Sequence, residues 1–297
     1  MRTPKLLAIV GQTSSGKSDL GIYLAKKFNG EVVSADSRQV YRGLNLASGK
    51  ITKKEMKDIP HHLLNVISPK NTYNVAKYQK QAIKTIKDIQ KKERIPFLVG
   101  GSPFYVYSVI DNLKFPEIKA DSVLRKQLSK LSAETLFKRL EKLDLQRASS
   151  IETKNSRRLI RALEIIYASG RAVPKQSASP SPFETMLIGT KISPKELKKS
   201  IEKRLDARLK QGMIDEIQKL HASGVSYRRL EELGLEARYI ALYLEGKLSK
   251  EEMREQLLLA ILKFSKRQLA WFGKDKRIHW ITQRKEAERL TRKFLNK

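Results

Sequence analysis

Leu6-Leu7-Ala8-Ile9-Val10 runs straight into Gly11-Gln12-Thr13-Ser14-Ser15-Gly16-Lys17-Ser18. The five apolar residues read as a buried strand. The eight that follow match G-x-x-x-x-G-K-[ST], a turn whose glycines let backbone N–H groups curl around phosphate oxygens. A helix over Ser18–Phe28 starts at that turn and adds partial positive charge. Lys17 supplies a mobile point charge for a terminal phosphate, and Ser18 is placed to coordinate Mg²⁺. With a strand before it and a helix after it, a chance Gly/Ser turn is the weaker reading.

Outward from this loop, strand and helix patterns alternate. Glu31–Ala35 reads as a second strand. Tyr78–Lys92 reads as a helix, with Ala82, Ile83, Ile86 and Ile89 at helical spacing, and Ile95–Val99 as a third strand stopped by Gly100-Gly101. Such alternation implies a parallel sheet with right-handed crossovers. Between Phe115 and Pro182 the character changes to basic helices. One of these is capped by Asn155 and ended by Gly170 and Pro174, and a linker rich in Pro, Ser and Ala follows at 172–184. Met186–Ile192 returns to strand character. Ser193 with Glu196, and Ser249 with Glu252, spell capping boxes, and Arg277–Ile281 reads as a last strand. The expected fold is α/β: a P-loop NTPase-like parallel sheet core flanked by helices, with an inserted all-helical domain. The domains expected are 1–114 for the first part of the core, 115–184 for the insertion and 185–297 for the rest.

Composition narrows the partners. Against 31 acidic residues stand 61 Lys and Arg, a formal charge of +30 spread from Lys50 to the C-terminus. That excess fits a long groove for a polyanion such as nucleic acid. Cysteine is absent, so disulfides, thiolate metal sites and a Cys nucleophile are excluded, and a cytoplasmic location is expected. No stretch approaches the apolar length of a membrane span. His61-His62 lack the partners of a metal site and are read as structural or substrate-positioning.

Hydrolases and kinases with such a loop usually place an acidic residue after an apolar strand to hold magnesium. Here Ile95–Val99 leads to Gly100-Gly101-Ser102 instead. The carboxylate near the loop is Asp36, in Ser34-Ala35-Asp36-Ser37, which reads either as a turn aspartate or as a general base beside phosphates.

In order along the chain occur GQTSSGKS (11–18), SADSRQVYRGL (34–44), PHHLLN (60–65), FLVGGSPFYVYSV (97–109), RRLIRALEI (157–165), IEKRLDARLKQGMIDEI (201–217) and SKRQLAWF (265–272). Together these resemble the tRNA dimethylallyltransferase family over nearly the whole chain. The resemblance implies that the loop Gly11, Gln12, Thr13, Ser14, Ser15, Gly16, Lys17 and Ser18, with Arg204, binds the diphosphate of dimethylallyl diphosphate, with Mg²⁺ at Ser18. It implies transfer of the prenyl group to N6 of adenosine 37 in the tRNA anticodon loop, with Asp36 as general base and Ser102 orienting the amine. It implies tRNA contacts from Asp36, Ser37, Arg38, Gln39, Ser102, Arg125, Arg157, Arg158 and Arg161. A monomer and no membrane partner are expected. Phe264 and Trp271, seven apart, are expected to share a core-facing stripe.

The chain departs from the family pattern in four places. Asn45 and Asn65 each replace an aspartate, Leu233–Tyr239 is only loosely similar to IGYKE, and Ile261-Leu262 stands where a Thr-Arg pair is usual. Three other readings stand beside this one: prenyl transfer to free adenine nucleotides, a P-loop small-molecule kinase, and a non-catalytic RNA-binding protein.

Overall fold

The computed structural model describes residues 3–174 and 177–296. Its strands are β1 (Lys5–Gly11), β2 (Gly30–Ser34), β3 (His61–His62), β4 (Ile95–Gly100), β5 (Glu184–Thr190) and β6 (Ile278–Ile281). They form one parallel sheet in the order β3-β2-β4-β1-β5-β6. Before the insertion come α1 (Lys17–Lys27), α2 (Lys53–Met56), α3 (Val75–Gln90) and α4 (Pro103–Ile110). The insertion holds α5 (Ser122–Leu128), α6 (Ala133–Leu143), α7 (Leu145–Ser150) and α8 (Ser156–Ser169). After it follow α9 (Pro194–Lys210), α10 (Met213–Ala222), α11 (Tyr227–Leu233), α12 (Leu235–Leu244), α13 (Lys250–Phe272) and α14 (Arg284–Leu295).

Alternation along β1 explains why both faces are covered. Leu6, Ala8 and Val10 join one apolar layer with side chains of α3, α4 and α9–α13. Leu7 and Ile9 join the other, with Leu20 and Leu24 of α1 and Phe294 of α14. A strand buried on both sides must be apolar throughout, which is how Leu6–Val10 reads. Phe97 on β4 is fully buried. Phe97→Ala is expected to lower stability by about 3–5 kcal/mol, measured by urea unfolding.

Local chemistry sets the helix ends. The capping boxes at Ser193–Glu196 and Ser249–Glu252 are formed, and a third is present at Thr52–Glu55. Asn155 accepts from Arg158 N, and Gly170 closes α8 at φ 64°. Two elements carry no periodic signal. β3 is two residues long, and α4 is apolar on every side. β5 spans Glu184–Thr190, not 186–192, because the residues after Thr190 turn into the Ser193 cap.

The chain divides into two compact units, one of residues 1–112 with 180–297, the other of 113–179. Lys175 and Gln176 of the expected linker lie outside the described residues. Its last part, 180–184, belongs to the core unit, where Phe183 is buried. The smaller unit has its own core of Leu128, Leu136, Leu140, Leu159 and Leu163. Buried among its polar side chains is Glu164, which accepts from Arg125 Nε and Nη2 at 2.8 Å each, from Arg161 and from Asp121 N. Burial alone would raise the Glu164 carboxyl, but these donors outweigh it and hold it below the usual range. Glu164→Gln is expected to cost about 1–3 kcal/mol, since both arginines remain partly exposed. Urea unfolding followed by a fluorescent probe placed in this unit would read it.

Candidate active site

At the carboxyl end of β1 the chain turns sharply. Gly16 takes φ +83° and caps α1, a conformation that a side chain disfavours. Ser15 Oγ donates to Gln12 O at 2.8 Å and lies 2.6 Å from Thr190 Oγ1. Lys17 Nζ donates to Gln12 O at 3.0 Å. Helix α13 clamps the loop from outside. Gln268 Oε1 accepts from Thr13 N at 2.8 Å, its Nε2 donates to Gly101 O at 2.6 Å, and Gln12 Nε2 donates to Ser265 Oγ at 2.9 Å. Gln268 and Ser265 are buried polar residues in the apolar stripe of α13, and that anomaly is the signal by which the sequence could have disclosed them. The core-facing stripe is Met253, Leu257, Ile261, Ser265, Gln268 and Phe272. Trp271 is instead exposed and Phe264 carries Arg267 over its ring, so the expected Phe264–Trp271 face is corrected by the helix's rotation.

The ends of β2 and β4 carry the other half of the site. Ser102 N donates to Ala35 O at 3.3 Å, and Ser102 Oγ accepts from Ser37 N at 3.0 Å. Asp36 Oδ1 accepts from Arg38 N at 2.8 Å, an Asx turn that fixes the carboxylate. Gln39 bridges Ser34 Oγ and Gly49 O. Arg38 is exposed and donates to Glu232 O. A Cβ at Gly100 would sit 2.1 Å from Ala35 O. Gly100→Ala must therefore push apart the two segments that hold Asp36 and Ser102. It is expected to cost about 1–3 kcal/mol of stability by thermal unfolding and to slow turnover.

Arg204 and Arg208 project from one face of α9, one turn apart. Arg204 donates to Gly49 O at 3.1 Å, and Arg208 pairs with Glu236 of α12 at 3.4 Å. Lys17, Ser18, Asp36, Arg204, Arg208 and Glu236 all line one cleft of about 70 Å³. Burial, then the Arg204 charge, pushes Lys17 down to about 8. Burial, then Arg204, likewise lowers Arg208 to about 10. Burial leads both depressions and the neighbouring Arg204 charge adds to each, so a polyanion entering the cleft would relieve the repulsion among these cations. Arg208 and Glu236 were missed in the sequence. Helical spacing from Arg204 points to Arg208, whereas nothing local marks Glu236.

Of the residues that the resemblance assigns to the diphosphate and the base, Thr13, Lys17, Ser18, Asp36 and Arg204 meet in the cleft, while Ser102 braces the Asp36–Ser37 segment beside it. Arg125, Arg157, Arg158 and Arg161 belong to the smaller unit. Arg125 and Arg161 are held there by Glu164, Arg158 is 3.6 Å from Glu152, and Arg157 is exposed on the first turn of α8. His62 Nε2 lies 2.6 Å from buried Glu31, and His61 is tied to Ile59 O. A larger depression of about 530 Å³ on the outer side of α1, beside Tyr23 and Arg284, shares no lining residue with the cleft.

Among the described residues no group of three or more His, Asp or Glu is placed to hold a metal ion. Ser18 is exposed at the cleft in the first turn of α1. Mg²⁺ commonly takes few protein ligands and completes its shell with substrate phosphates and water. The donor set therefore fits a magnesium that arrives with a diphosphate.

Fold and cleft together define an α/β protein of P-loop NTPase-like type, with cations and a carboxylate gathered in one cleft. Comparison with known proteins narrows this. The sequence profile of the IPP transferase family matches residues 39–275. A tRNA dimethylallyltransferase of Pelotomaculum thermopropionicum is 39% identical over 93% of this chain and 90% of its own. The tRNA dimethylallyltransferase 1 of Geotalea uraniireducens is 38% identical over 97% of each. Among solved structures, the tRNA isopentenylpyrophosphate transferase of Bacillus halodurans superposes with TM-score 0.73 at 34% identity, covering 98% of this chain and 95% of that one. A eukaryotic dimethylallyltransferase captured acting on tRNA gives TM-score 0.80 at 26% identity, over 94% of this chain and 74% of that one. The chain belongs to the tRNA dimethylallyltransferase family, and it is an enzyme of the prenyltransferase type. Among the described residues no helix is long and apolar enough to cross a membrane.

Proposed function

We propose that this protein transfers the dimethylallyl group of dimethylallyl diphosphate to N6 of adenosine 37 in a tRNA anticodon loop, releasing pyrophosphate. The observation that carries this reading is the convergence of Lys17, Arg204 and Arg208 with Asp36 in one cleft at the carboxyl edge of the sheet. Ligands of open parallel sheets bind at that edge.

The chemistry follows from charge. The allylic C1–O bond breaks with its electron pair moving to the diphosphate, whose charge is neutralised by Lys17, Arg204, Arg208 and the amides around Gly16. Magnesium at Ser18, brought by the diphosphate, would add electrophilic pull on the leaving oxygen. The N6 lone pair forms the new C–N bond, and Asp36 takes the proton that N6 sheds. Ser102 keeps the Asp36–Ser37 segment in place and offers its hydroxyl to the incoming amine. The target base must leave the anticodon stack, at a cost of a few kcal/mol that contacts to neighbouring nucleotides offset. Ser37, Arg38 and Gln39, beside Asp36, are the residues assigned to that neighbourhood. Arg157 and Arg158, exposed on the smaller unit, suit tRNA phosphates. Arg125 and Arg161 act there chiefly by ordering that unit through Glu164.

The free-nucleotide alternative gains nothing from the +30 charge. The test is an assay with purified protein, Mg²⁺ and labelled dimethylallyl diphosphate, offering either tRNA or AMP while ATP turnover is followed. Label entering tRNA supports the proposal. Label entering only AMP, or ATP consumption without transfer, overturns it. Affinity for tRNA is expected to fall by about 10²-fold or more between 50 and 200 mM salt, because each phosphate contact releases counterions. A flat response would separate the basic excess from tRNA binding.

A further inference from the structure

The cleft contains a second carboxylate that the chemistry above does not use. Glu236 is the second residue of α12, two after Gly234, its side chain is 19% exposed, and its Oε1 lies 3.4 Å from Arg208 Nη1. A carboxylate at the wall of a diphosphate cleft opposes its ligand. It lies in the stretch Leu233–Tyr239 where the chain departs from the family pattern. Its partner is one of the two α9 arginines that face the cleft.

We infer that Glu236 is the resident anion of the donor cleft: it holds Arg208 while the cleft is empty, yields it to the entering diphosphate, and takes it back as pyrophosphate leaves. The inference rests on reading the cleft as the diphosphate site. Its physical basis is competition. One guanidinium cannot serve two anions fully, and a diphosphate backed by Lys17 and Arg204 is the stronger claimant. Glu236 is then left beside a polyanion in a poorly solvated pocket, where its charged form is disfavoured. Burial already raises its carboxyl above the ordinary range in the empty cleft, and Arg208 leads the groups that oppose it, ahead of a backbone N–H and Arg204. Arg204 and Arg208 of α9, Lys17, and Asp36 after β2 share its cleft, Glu216 of α10 lies near Arg208, and Arg38 packs against Gly234. No charged side chain of α13 lines the cleft. Binding of diphosphate therefore carries proton uptake at Glu236. Raising the pH above the carboxyl's empty-cleft value weakens binding, because more of the protein must first capture a proton.

Glu236 is thus a positioning residue that eases product release. The test is calorimetric titration of the full-length protein with inorganic pyrophosphate and Mg²⁺, in two buffers of different ionisation enthalpy. Glu236→Gln retains an oxygen to accept from Arg208 but removes the charge. It is expected to bind pyrophosphate about tenfold more tightly at pH 7.5 and to take up fewer protons than wild type. In steady state it should lower KM for dimethylallyl diphosphate and strengthen pyrophosphate inhibition by about the same factor without raising kcat. Glu236→Ala repeats the comparison without the carboxamide. Unchanged or weaker pyrophosphate binding in the variants, with wild type binding normally, overturns the inference and leaves Glu236 as a fixed brace for Arg208. Failure of wild type itself to bind pyrophosphate overturns the donor-site reading, and the inference with it.

Discussion

Asp36→Asn is expected to slow prenyl transfer by about 10²–10⁴-fold while leaving tRNA affinity within a few-fold of wild type. The substitution is chosen for what it preserves. Asp36 Oδ1 accepts from Arg38 N at 2.8 Å, and an asparagine oxygen accepts equally well, so the loop keeps its shape. Ser102 still fixes Ser37 from β4. What disappears is the capacity to take a proton from N6 as the C–N bond forms. An exocyclic adenine amine, its lone pair delocalised into the ring, needs that help. Pyrophosphate binding should hold or improve, because one negative charge has left the cleft. Single-turnover label transfer, filter binding of tRNA and pyrophosphate titration separate the three quantities. A variant running at full speed would remove Asp36 from the base role.

Lys17→Met produces opposite signs in stability and function. Burial depresses Lys17 from 10.5 to about 8, which means its charge is costly in the empty cleft. That shift corresponds to about 3 kcal/mol at most. The unfolded chain binds the proton more tightly, so between about pH 8 and 10.5 it carries more protons and native stability rises with pH; below pH 8 the cost is present in full. A methionine, similar in length and uncharged, escapes that cost. The melting temperature at pH 7 should rise by about 2–6 °C. Pyrophosphate affinity and transfer rate should both fall by about 10²–10³-fold, since a charged donor to the leaving group is gone. A melting temperature that fell would mean that the Lys17 bond to Gln12 O outweighs its desolvation. A transfer rate that held would remove Lys17 from the diphosphate.

These two residues also mark how far the sequence can be read. Lys17 is legible because strand, glycine turn and helix start are contiguous, and a contiguous motif carries its own geometry. Asp36 is different: its loop is local, but its nearness to Lys17 exists only because β2 and β1 flank β4 in the sheet. Arg204 is marked only by the family resemblance, and Arg208, one turn further along α9, carries no mark of its own in the sequence. Gln268 shows the limit from another side. It holds the phosphate loop from 255 residues downstream and Gly101 from 167. The Phe264–Trp271 stripe failed because seven-residue spacing fixes a shared face but not which face turns inward. Arg125 and Arg161 are assigned to tRNA by the resemblance, and only the fold shows Glu164 buried between them.

By itself the sequence determined the parallel α/β core, the phosphate loop, the helix caps and the excess of positive charge, because each arises from neighbouring residues or from composition. Only the tertiary structure decided which charges share a cleft, which are already paired, and which carboxylate meets an arginine. The physical reason is that electrostatic interaction depends on separation in space and on burial, and neither is a function of separation along the chain.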